Sequence, residues 1–68
     1  MRVISYQPLW RELEARNMDR QALKTRGIVN HSTLYRLLND EPVSMAVLMQ
    51  LCDALDLPVE KVVVFNKV

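Results

Sequence analysis

One histidine, His31, one cysteine, Cys52, and one glycine, Gly27, bound the covalent chemistry open to this 68-residue chain. His31 and Cys52 fall on different expected helices, and no third group stands beside either to orient a nucleophile and its base. No His or Cys spacing suits zinc, and a single glycine cannot build a phosphate-cradling loop. The chain is therefore expected not to be an enzyme and to use no metal and no cofactor. Hydrogen bonding and charge remain. Between Asn30 and Asp40, the residues His31, Ser32, Tyr35, Arg36 and Asn39 carry hydrogen-bonding groups along one side of a segment, and Leu34, Leu37 and Leu38 form the other side. The leucines recur at i, i+3 and i+4, which is the spacing of one helix face. A polar ridge on the outer side of such a helix has the diameter that the major groove of B-DNA admits.

The elements that must hold this ridge are marked by three repeats of one pattern, an apolar residue, a capping residue, and a second apolar residue four places after the cap. Met18-Asp19-Leu23, Val29-Asn30-Leu34 and Val43-Ser44-Leu48 each fit it. The Asp, Asn or Ser oxygen accepts from an otherwise unpaired helix N–H, and the apolar pair fixes the angle at which the chain enters the helix. Helices are thus expected to begin near residues 20, 31 and 45. An earlier helix opens at Pro8 and runs through Leu9, Trp10 and Leu13, because proline is tolerated in a first helical turn. Pro58 opens a short fifth helix to Val62, after which Val63, Val64 and Phe65 favour extended structure. Val3, Ile4 and Tyr6 then face Val62, Val64 and Phe65 as two short terminal strands, pairing with each other or with those of a second chain. The fourth helix is expected to bury Val47, Leu48, Leu51, Cys52 and Leu55 as scaffold. A second helix over Arg20 to Arg26, a turn through Gly27 and Ile28, and a third helix over His31 to Asn39 make a helix-turn-helix. The expected fold is all-α, one compact bundle of four to five helices over residues 1–68 with short terminal strands.

Composition fits that size. Half the residues are apolar and a quarter charged, the balance of a globular chain rather than a disordered one. No apolar run exceeds Met45 to Met49, so neither a membrane span nor a signal peptide is expected, and the lone cysteine agrees with a cytoplasmic location. Net charge is only +1, but it is unevenly spread. Residues 1–36 hold seven bases and three acids, for +4, and residues 37–68 hold two bases and five acids, for −3. Such a split orients a molecule in the field of a polyanion, and it is equally common in proteins that bind nothing acidic.

The run Ile4-Ser5-Tyr6 with Pro8-Leu9-Trp10, the central Ser32-Thr33-Leu34, the stretch from Asn39 to Ser44, Val47-Leu48, and Leu51 to Leu55 together resemble the small Cro and phage-repressor type helix-turn-helix regulators. The resemblance covers nearly the whole chain. It implies binding of a double-stranded DNA operator by a homodimer, with the third helix in the major groove. Carried over by position, base reading falls on His31, Ser32 and Arg36, with Tyr35 beside them. Contacts to the phosphate backbone fall on Asn30 and Asn39, and on Arg20 or Gln21 at the start of the second helix. The chemistry agrees, since arginine can donate to both O6 and N7 of guanine, while His and Ser can bond base edges or phosphate oxygens. Ile28 occupies the place where the family usually has its turn glycine, so Gly27, one place earlier, is expected to take the positive φ. Asp40 and Glu41 follow the third helix, where acids oppose a phosphate grip.

Plainer readings stand beside these. Arg20, Lys24 and Arg26 also suit a solvated surface, and Trp10, Met18, Met45 and Met49 suit core or subunit packing. Cys52 suits inert core. A protein partner is the competing function: an antitoxin or anti-repressor could offer Val62 to Phe65 to the sheet edge of another protein.

Overall fold

The computed structural model describes all 68 residues. Strand β1 spans Arg2–Ser5, followed by helices α1 over Gln7–Ala15, α2 over Ala22–Thr25, α3 over His31–Leu38 and α4 over Met45–Leu55. A single 3-10 turn at Val59–Lys61 leads into strand β2, Val64–Lys67. The strands pair antiparallel, with Arg2 opposite Lys67 and Ile4 opposite Phe65, so the two chain ends close on each other. The expected architecture of four helices and terminal strands is the one observed.

Eleven apolar residues make one core, to which every helix contributes: Tyr6, Leu9, Trp10, Leu13, Leu23, Val29, Leu34, Leu37, Leu51, Leu55 and Val62. Helices this short are marginal in water, so their stability must come from this shared burial and from their ends. Two of the three expected caps form at a helix start, on α3 and α4, and the third, at Asp19, closes the tight turn that precedes α2. Ala22 N–H donates to Asp19 Oδ1 at 2.9 Å, Thr33 N–H to Asn30 Oδ1 at 2.8 Å, and Val47 N–H to Ser44 Oγ at 3.2 Å. Each such cap is worth about 1 kcal/mol.

All four helices end in the same way. The chain turns through a left-handed residue, Asn17, Gly27, Asp40 or Asp56, with φ between 53° and 73°. The next N–H then reaches back five residues: Met18 to the Leu13 carbonyl, Ile28 to Leu23, Glu41 to Arg36 and Leu57 to Cys52, at 2.9–3.0 Å. These bonds satisfy carbonyls that a helix end otherwise leaves unpaired. Gly27 takes the positive φ as expected, and Ile28 beyond it packs against the core, as Met18 and Leu57 do after their own turns.

Two polar clasps cross the bundle. Arg16 Nη2 donates to the Leu55 carbonyl at 2.5 Å, placing a cation at the electronegative end of α4. Tyr6, which is 1% exposed, donates its hydroxyl to the Glu41 carbonyl at 2.6 Å and its N–H to Asp40 Oδ1 at 3.3 Å.

Several expectations need correction. The second helix is four residues long, not seven, because Ala22 and Leu23 N–H bond to the carbonyls of Asp19 and Arg20, three residues back, so Arg20 and Gln21 form a tight turn outside the α-helix. The third helix stops at Leu38 and Asn39 is its cap. Leu38, expected with the inner leucines, is 38% exposed. Tyr6 and Val62 lie outside the strands and in the core. On α4, only Leu51 and Leu55 are fully buried, while Val47, Leu48 and Cys52 are half-buried. Met45 and Met49, expected in the core or in subunit packing, are exposed, so the core alternative falls.

A Cβ on Gly27 meets nothing within 4 Å, so Gly27→Ala carries only the conformational cost of φ +73°, about 1 kcal/mol of stability in urea denaturation. The Tyr6 phenol is held above its ordinary value of 10.0, first by burial and then by the Asp40 carboxylate. The unfolded chain therefore ionises this phenol first. Its contribution to stability is complete below about pH 10 and fades as pH rises above that value toward the folded pKa. The stability gap between wild type and Tyr6→Phe, measured by denaturation across alkaline pH, is expected to narrow above about pH 10.

Candidate nucleic-acid interface

Helix α3 is amphipathic, and its inner side fixes what its outer side can do. Leu34 and Leu37 are 2% and 0% exposed and anchor the helix in the core. On the opposite side His31, Ser32, Tyr35 and Arg36 are all exposed. The turn between α2 and α3 is held by Gly27 N–H to the Lys24 carbonyl and by Ile28 and Val29 N–H to the Leu23 carbonyl, at 3.0–3.1 Å. Leu23, Val29 and Leu34 pack into the same cluster, so α2 and α3 behave as one corner.

His31, Ser32, Tyr35 and Arg36 line one shallow groove together with Glu41. A second groove runs along the other flank of Arg36 and is lined by Ser32, Thr33, Arg36, Val43, Ser44 and Val47. Arg36 thus stands between two grooves, with its guanidinium donors free for planar, two-point bonding of the kind a guanine edge accepts. Tyr35, at 60% exposure, offers a hydroxyl and a ring face to whatever lies on the ridge.

The residues expected at the phosphate backbone are exposed but differently occupied. Arg20 stacks over the indole of Trp10, its guanidinium carbon 4.5 Å from the ring centroid. A cation over an aromatic face is held by the ring quadrupole, an attraction that uses none of its N–H donors. Gln21 is exposed beside it. Asn30 uses its Oδ1 for the Thr33 N–H and also accepts from the Ser32 hydroxyl at 3.2 Å, so only its amide NH2 remains for an external acceptor. Asn39 donates Nδ2 to the Tyr35 carbonyl at 2.8 Å and closes the end of α3.

Sequence reasoning missed Thr33, Ser44 and Glu41 as neighbours of Arg36, and Trp10 as the platform for Arg20. Ser44 is visible as a cap, but its place beside Arg36 depends on the path of the loop between α3 and α4. The Trp10 and Arg20 pairing spans a helix end and a loop, for which no periodic signal exists.

No group of three or more His, Cys, Asp or Glu side chains stands where it could hold a metal ion, and no helix is long and apolar enough to cross a membrane.

Comparison with known proteins accords with this geometry. No curated protein matches the sequence. A crystal structure of the transcriptional regulator VanUg superposes on the chain with a TM-score of 0.90 at 28% identity, covering 98% of this chain and 89% of that one. The Cro/C1-type HTH DNA-binding domain family matches residues 8–67, from the first turn of α1 to the last residue of β2. By that match, with the helix-turn-helix corner and the exposed polar side of α3 behind it, the chain belongs to the Cro/C1-type helix-turn-helix DNA-binding family.

Proposed function

We propose that this chain is a sequence-specific transcriptional repressor, one domain over residues 1–68, that binds double-stranded DNA operators in the cytoplasm as a homodimer. Helix α3 enters the major groove, His31, Ser32, Tyr35 and Arg36 read base edges, and Arg20, Gln21, Asn30 and Asn39 touch phosphates. The observation that carries this reading is the exposure of the whole polar side of α3 while Leu34 and Leu37 lock its other side. A rigid helix with one free polar face has the shape and the donors that base-edge recognition requires. The structural likeness to a protein described as a transcriptional regulator adds support. Dimerisation is part of the proposal because eight residues of helix reach only a few base pairs, and a two-fold pair of helices doubles the site.

A second reading, a protein-binding antitoxin or anti-repressor, draws on the exposed apolar side chains Met45, Met49, Val59 and Phe65. The two readings are compatible in one molecule, and one experiment separates them. Selection from a pool of random duplexes is expected to enrich a palindromic sequence with the wild type. Arg36→Ala is expected to lose that enrichment, because each two-point base contact supplies about 1–3 kcal/mol of discrimination. Arg20→Gln is expected to weaken binding to all duplexes alike and to lower the slope of log K against log salt by about 0.9, the signature of one lost phosphate contact. Unchanged enrichment with Arg36→Ala refutes the assignment of α3, and no enrichment by the wild type favours the protein-binding reading.

A further inference from the structure

Tyr6 has no exposed surface to speak of and belongs to none of the grooves around α3, yet its bonds run to the end of that helix. Its hydroxyl donates to the Glu41 carbonyl at 2.6 Å, and the N–H of the same Glu41 donates to the Arg36 carbonyl at 2.9 Å. Its backbone N–H donates to Asp40 Oδ1 at 3.3 Å, and Asp40 is the left-handed residue, φ 54°, that turns the chain out of α3. Two bonds from a buried residue at the start of α1 therefore reach the two residues that close α3, and one of these, Glu41, bonds the backbone of Arg36. Glu41 itself lines the groove of His31, Ser32, Tyr35 and Arg36, so the clasp fixes that wall too.

A helix of eight residues frays readily, and its last turn is where fraying would displace Arg36. The amino end of α3 is secured by the Asn30 cap and the corner with α2. The carboxyl end has no comparable apolar anchor: the residue after its left-handed turn is Glu41, whereas the corresponding residues after α1, α2 and α4 are Met18, Ile28 and Leu57, all packed on the core. The Tyr6 clasp stands where those apolar contacts stand in the other three turns.

We infer that Tyr6 is a positioning residue for DNA recognition, holding Arg36 in register through Asp40 and Glu41 while touching no DNA itself. This rests on the reading of α3 as the major-groove helix. Binding to scrambled DNA, which engages phosphates, tolerates a loose helix end, but binding to the selected sequence must restore the seating of Arg36 at a cost in ordering. Loss of the clasp thus lowers preference more than it lowers affinity for scrambled DNA.

The test measures the ratio of affinities for a duplex selected by the wild type and for the same duplex scrambled. Tyr6→Phe removes one hydroxyl, leaves the ring in the core, and is expected to lower this ratio by about threefold to tenfold, the worth of one buried hydrogen bond. Asp40→Gly and Asp40→Asn form a second, independent arm. Both remove the charge, but only glycine removes the acceptor, and glycine is at ease at φ 54°. Asp40→Gly is expected to lose preference while Asp40→Asn keeps it, a difference that remains readable if Tyr6→Phe fails to fold. A folded Tyr6→Phe with lowered melting temperature but a ratio within about twofold of wild type overturns the inference, as does equal behaviour of the two Asp40 variants. If the wild type selects no sequence, the major-groove reading falls and takes this inference with it. Selective wild type with unaltered variants sinks the inference alone.

Discussion

Helix α3 has eight residues, little more than two turns, and a helix of that length does not hold its shape in water without help. Everything else in the molecule answers to that constraint. Leu34 and Leu37 give the helix a buried side, the Asn30 cap fixes where it begins, and the Asp40 turn with the Tyr6 clasp fixes where it ends. Because the anchoring comes from one side and from the two ends, the remaining side is left clear. Rigidity and exposure, which usually oppose each other in a small protein, are obtained from the same arrangement.

A chain of 68 residues buries proportionally little surface, and here the ends of helices supply what the core cannot. Side-chain caps open α3 and α4, the Asp19 carboxylate closes the turn that leads into α2, and four left-handed turns close the helices. The caps were legible because each combines a polar acceptor with a pair of apolar residues at fixed spacing, a pattern local enough to read from the chain. Gly27 was legible because glycine alone enters positive φ without any Cβ penalty. Asn17, Asp40 and Asp56 take the same conformation without a glycine to mark them, and they were not legible as turns. The length of α2 was misjudged for a related reason: whether a first turn closes over three residues or four depends on the approach of the preceding loop, which no local pattern encodes.

The candidate site divides along the same line. The outward residues of α3, His31, Ser32, Tyr35 and Arg36, follow from helical periodicity alone and are legible in the sequence. What surrounds them is not, because Ser44 reaches Arg36 only through the path of the loop after α3, and Arg20 finds Trp10 only through the loop after α1. Asp40 shows how far a local reading can mislead. As a charge it opposes a phosphate grip, but as a carboxylate in a left-handed turn it accepts from Tyr6 and holds the helix end. A modest net charge of +1 is consistent with a binder that relies on fitted donors more than on bulk attraction, provided those donors are held in place.

The central claim, that the exposed side of α3 is where a duplex sits, is met most directly by titrating the isotopically labelled protein with a selected duplex and following its backbone amide resonances. The largest shifts are expected from Asn30 through Asn39, with smaller ones at Arg20 and Gln21. Shifts that leave α3 unmoved and gather instead at Met45, Met49, Val59 or β2 would contradict it.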